Sequence, residues 1–143
     1  MAATINDKVY GKLVWDADFG EGWNGKVEFE SGVWIEISIW NPDPMDFLAA
    51  QATHEIYRKI CANKDKILKF LADNLHQGYS DEWRTEGQKW LNRTAFLEQI
   101  KWSSIAINQD KTSYIMFKTD LFESYTPVVN LDQNCNCESL ELV

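Results

Sequence analysis

The chain has 143 residues, 45% of them hydrophobic and 25% charged, with 22 acidic against 14 basic side chains and a net charge of -8. Those proportions are those of an ordinary globular chain and argue against disorder, a collagen-like repeat or a coiled coil. The acidic balance argues against nucleic acid as a partner, because binding a phosphate backbone rests on neutralisation by Lys and Arg. It would instead attract and steer a basic protein, besides keeping the chain soluble.

The length fits one domain, residues 1–143, able to bury about two-thirds of its unfolded surface and so to form a core without staples. Met1–Lys8 has no apolar run behind a basic one, and no window of 18 apolar residues follows. The expectation is a cytoplasmic protein with no membrane partner. The three cysteines are too few and too uneven for a disulfide framework.

Along the chain, Val9–Asp16, Gly25–Glu30 and Val33–Trp40 are rich in β-branched and aromatic residues and are separated by turn material, which predicts a three-stranded antiparallel meander. In the last two runs, Val27, Phe29, Ile35, Ile37 and Ile39 alternate with polar and aromatic residues. Period two assigns the aliphatic set to one face and Glu28, Glu30, Trp34, Glu36 and Trp40 to the other.

Asp43, Pro44 and Asp46 form a helix-start pattern, with Asp43 as the cap. Met45, Leu48, Ala52, Ile56, Ile60, Ile67, Leu71 and Leu75 then make one apolar stripe, closed by Gly78. An unbroken helix from Pro44 to Gln77 would be roughly 50 Å long, too long for a chain of this size, so a break is expected near Asn63-Lys64-Asp65. Tyr79 to Asn92 is a connecting segment, with a helical turn around Trp83.

Thr94–Ile100 predicts a short helix capped by Thr94. The strand period then returns in Trp102–Asn108, Ser113–Thr119, Pro127–Asp132 and Glu138–Val143. The fold class expected is α+β, an antiparallel sheet of three N-terminal and four C-terminal strands with central helices packed on one face.

The segment from Leu91 to Ile107, with its Phe96-Leu97 pair ahead of a strand, and the segment from Leu121 to Asp132 resemble the bacterial domain of unknown function catalogued under number 2262. Gly11–Asp16 with Trp23, and Leu71–Leu75 leading to Trp83, resemble it too. The resemblance spans most of the chain and implies a bacterial α+β fold with no known reaction; related small acidic domains occur beside toxin genes. Two departures stand out: Tyr125 replaces a His, and Cys135-Asn136-Cys137 replaces a Gly turn.

The sequence contains no Gly-x-Gly-x-x-Gly, P-loop, His-x-x-x-His or Gly-x-Ser-x-Gly pattern. His54 and His76 are the only histidines; His54-Glu55 and Asp73 to His76 offer acid-base pairings in principle, but a histidine on a helix surface is more often just solvated. Asp16, Asp18 and Glu21 read as a solvated acidic loop, since their spacing is not that of a calcium loop. The spacing of Cys135 and Cys137 is unlike that of structural zinc pairs, and Cys61 reads as a small hydrophobe. No catalytic, cofactor or metal residues are assigned.

The expected function is a non-catalytic protein-binding module, in its sharpest form an immunity protein that neutralises a basic toxin. The alternative is a small hydrolase with an unrecognised active site. Seven tryptophans serve either as core or as binding surface, and the face carrying Trp34 and Trp40 is either open or covered by the C-terminal strands. With a core of this size, EDTA plus a reductant should leave the thermal midpoint unchanged; a fall of several degrees would reveal a structural metal or disulfide.

Overall fold

Alternation builds the sheet. In the computed structural model, which describes residues 3–18, 21–84, 87 and 90–143, Ile35, Ile37 and Ile39 are buried while Trp34 and Glu36 are exposed. The described residues form one eight-stranded sheet in chain order. Its strands are β1 (Thr4–Asp7), β2 (Gly11–Asp16), β3 (Gly22–Glu30), β4 (Val33–Trp40), β5 (Lys101–Ile107), β6 (Ser113–Lys118), β7 (Pro127–Leu131) and β8 (Cys137–Leu142).

Neighbouring strands are antiparallel, with one exception: β4 and β5 run parallel, Ile37 opposite Ile105 and Ile39 opposite Ile107. The fold is therefore α+β, with a mostly antiparallel sheet. The expected three plus four strands are four plus four. The additional one, β1, has a single aliphatic residue, Ile5, and so too little alternation to be read. It is held as an edge by its ladder to β2 and by the Trp15 N–H donating to Ala3 O at 2.9 Å.

The helical crossover starts later than Asp43 suggests. Asp43 Oδ1 accepts the Met45 N–H at 2.9 Å, Asn41 Oδ1 accepts the Asp43 N–H at 2.8 Å, and Asn41 Nδ2 donates to Asp46 Oδ2 at 2.9 Å. These local bonds hold residues 41–48 in turns, an alternative to helix that Asn and Asp readily offer. Helix α1 (Ala49–Ala52) follows, with Leu48 at its N-cap and no side-chain cap. Met45 and Leu48 consequently leave the expected stripe and are exposed.

Ala52, on α1, is exposed as well, and the stripe holds only from Ile56 onward. Ile56 and Ile60 on α2 (His54–Ala62) and Ile67, Leu71 and Leu75 on α3 (Lys64–Gly78) are buried, and the chain breaks at Asn63, within the stretch where length requires it. Gly78 is the last residue of α3 but does not close it as a left-handed cap. It keeps helical dihedrals and leads into a π-helical turn, Tyr79–Trp83. The buried Tyr79 ring lies 5.7 Å from Phe96 and 6.1 Å from Phe122, which draws the backbone inward past the glycine. Helix α4 (Arg93–Glu98) is capped by Asn92 rather than Thr94.

The helices do not simply lie as a layer on one face, as was expected. The Tyr10 hydroxyl, in the β1–β2 turn, is 2.8 Å from Thr53 Oγ1, and its ring is 5.2 Å from Tyr57 on α2. From the other end of the sheet, the Cys135 thiol donates to Ile56 O at 3.7 Å. The sheet thus curls until both outermost hairpins touch the same helix, a consequence of strand twist accumulating over eight strands. Its inner face and the buried faces of α2 and α3 share one core.

Gly25, on β3, permits the close approach of β2: a Cβ there would stand 2.6 Å from Lys12 O and 2.8 Å from Leu13 Cδ2. At α4, Asn92 Oδ1 accepts the Ala95 N–H at 2.8 Å. Asn92→Ala should therefore cost about 1 kcal/mol in denaturant unfolding, whereas Thr94→Ala should leave the midpoint nearly unmoved. The reverse ranking would return the cap to Thr94.

Candidate functional site

Four of the five residues assigned to the polar face share it. Glu28 stands directly opposite Trp34, Lys26 opposite Glu36, and Gly22 opposite Trp40 across the β3–β4 ladder. Glu28, Trp34 and Glu36 are exposed, Trp34 at 62%, and Trp40 is half-buried. The C-terminal strands do not cover this surface. They extend the same sheet edge to edge from β4, so Ser104 lies beside Glu36 and Ala106 beside Ser38.

Glu30 is the exception. A bulge between Glu28 and Glu30 breaks the register, and Glu30 Oε1 lies 3.3 Å from Lys64 Nζ on α3. The same ammonium donates to Phe29 O at 3.2 Å and sits 4.0 Å from the centre of the Phe29 ring. Glu30 thus ties β3 to the helical side and lies apart from the other carboxylates.

An open groove of about 520 Å³ crosses β3 to β6 on the outer face, lined among others by Glu36, Ser38, Trp40, Ser104, Tyr114 and Met116. The Trp40 indole N–H is buried in the groove wall and has no hydrogen-bond partner among the described residues. Ser38 Oγ donates to Asn24 Oδ1 at 2.7 Å, which fixes the polar floor. Asp16, the last residue of β2, and Lys26 also line the groove, and Asp16 Oδ1 accepts the Asp18 N–H at 2.7 Å. Ser104, Tyr114 and Met116 escape a sequence reading. Their alternation is visible, but which strand β5 joins depends on a pairing across the helices.

The histidines form pairs other than those expected. His54 is buried, not solvated, and its Nε2 lies 2.8 Å from both carboxylate oxygens of Asp7. Asp7 Oδ2 also accepts the N–H groups of Val9 and Tyr10 at 2.8 and 2.9 Å. Burial raises the Asp7 pKa, but these backbone donors and His54 outweigh it and hold the carboxyl below its ordinary value. Burial also pushes the Tyr10 phenol well up.

The pair fastens the β1–β2 turn onto α2. Glu55 is instead 3.6 Å from Lys59, and Asp73 bonds Lys69 at 2.8 Å and Arg93. His76 Nε2 is 2.7 Å from Leu91 O. Among the described residues no helix is long and apolar enough to cross a membrane. The chain matches no protein-family model, no curated protein and no solved structure.

Asp7 should dominate the acid limb of stability. Its folded pKa lies below its unfolded one, so its contribution is complete above the ordinary carboxylate pKa and is lost as pH falls through the lower folded value. Asp7→Ala should cost about 3 kcal/mol at neutral pH, since it orphans two backbone donors and a buried imidazole. The same variant should flatten the loss of stability between neutral and strongly acidic pH, measured by denaturant unfolding across that range. A parallel profile would remove Asp7 as its source.

Proposed function

We propose that the chain is a non-catalytic, cytoplasmic protein-binding module that acts as an immunity protein and neutralises a basic toxin. The observation that carries this reading is Trp34, a large ring left 62% exposed on an uncovered sheet face and set opposite a carboxylate, Glu28. Glu36 and Trp40 continue the same pattern along β4 into the groove. Aromatic anchors bordered by charge are how energetic centres of interfaces are built. The exposed carboxylates of Glu28 and Glu36 and the net charge of -8 suit a basic partner, whose encounter they would accelerate.

The His–Asp pair supports the same reading in a different way. It sits away from the groove, its side chains each 7% exposed, and spends its hydrogen bonds on bracing a turn. Interface affinity would come from burying the indole and from the pairing of Glu28 and Glu36 with basic groups of the partner, with the net charge acting mainly on association rate.

The test uses wild type, Trp34→Ala and Glu36→Lys as bait in a lysate of the source organism. Wild type should retain a basic protein, retention should fall with salt, and both variants should lose it. Because Trp34 is exposed, Trp34→Ala should shift unfolding by no more than about 1 kcal/mol. Retention of the same partner by both folded variants would refute the assignment of this face. A loss of about 3 to 5 kcal/mol for Trp34→Ala would mark the ring as core instead.

A further inference from the structure

The turn between β7 and β8 is built around Asp132. Its Oδ1 accepts the N–H groups of Asn134 and Asn136, each at 2.9 Å, and its backbone O accepts the Cys135 N–H at 3.0 Å. This holds Cys135 at a φ of 62°, in the left-handed region that a non-glycine residue rarely occupies. The turn thereby sends Cys135 into the interior, with its thiol on Ile56 O. Two residues on, Cys137 pairs with the buried Leu131, and residues opposite one another on a ladder share a face. Both cysteines therefore pack on the helical side, and both residues line one groove of about 370 Å³ against α3.

The composition of that groove selects a ligand class. Among the described residues no group of three or more His, Cys, Asp or Glu could hold a metal ion. Zinc, which takes four ligands in structural sites, has no such set here. Soft monovalent d10 ions need only two thiolates in a near-linear arrangement, and thiolate ligands favour them. Lys66 and Lys69 on α3 line the same groove and would offset the charge of such a complex. Lys69 shares its charge with Asp73, which leaves Lys66 as the principal counter-charge.

We propose that Cys135 and Cys137 form a two-thiolate site for a soft monovalent cation such as Cu(I). On binding, two S–Cu bonds form, two S–H bonds break and both protons pass to solvent. The ion keeps its oxidation state, and the complex carries one negative charge beside Lys66. Because binding releases two protons, capture strengthens as pH rises. The site lies on the helical side of the sheet and is independent of the outer face.

Anaerobic titration of the reduced full chain with Cu(I), in competition with bathocuproine disulfonate, tests it. Wild type should withhold one equivalent from the chelator and show an ultraviolet thiolate-to-copper charge-transfer band. Cys61→Ser, whose thiol lies on α2 outside this groove, should behave as wild type. Cys137→Ser, at a half-buried position, and Cys135→Ser should each lose the ion and the band. If Cys135→Ser fails to fold, Cys137→Ser alone decides. Complete transfer of copper from wild type to the chelator, undiminished retention by folded Cys137→Ser, loss on Cys61→Ser, or equally tight binding of Zn(II) would each overturn the proposal.

Discussion

The parallel pairing of β4 with β5 is the constraint on which the rest of the molecule depends. Antiparallel neighbours can be joined by a short turn, but a parallel neighbour requires the chain to return to the end of the sheet where it began. The 60 residues between Trp40 and Lys101 make that return and contain all the helices of the described chain. The crossover thus supplies the helical half of the core on the side it traverses, and the side it does not traverse is left open.

That asymmetry gives the two sheet faces different chemistry. Inside, Ile37 and Ile105 meet the buried stripe of α2 and α3, with the Asp7–His54 pair and Cys135 fastening the two ends of the sheet to α2. Outside, the same strands present Trp34, Glu36 and Ser38, and the groove follows from β5 and β6 continuing the surface begun by β3 and β4. A protein-binding surface here would be rigid, because ladders on both sides fix its residues. Preorganised interfaces forfeit little side-chain and loop entropy on binding.

Much of this was legible in the residues. The β4 boundaries, the break at Asn63 and the four C-terminal strands follow from alternation and length, since those signals are local. The exposure of Glu28, Trp34 and Glu36 followed from the same period. What was not legible involved competition or distance. Asp43 satisfied a rule for helix starts, but Asn41 and Asp46 engaged the same segment in turns. Glu30 obeyed the alternation until a bulge and Lys64 removed it. His54 looked like a surface residue because Asp7, 47 positions away, is invisible to any periodic pattern.

Strand order that equals chain order also shapes how the molecule forms. Six of the seven ladders close over short connections, whereas β4 and β5 meet only after 60 residues have been spanned. By chain-closure entropy that single ladder costs about 2 kcal/mol more to initiate than a hairpin of about four residues. The two four-stranded meanders are therefore the natural early units, and their union through Ile37 and Ile105 is the nonlocal event that governs the folding rate. Until it occurs, each meander exposes an unpaired edge rich in isoleucine, so the interval before union is when the chain is most exposed to aggregation.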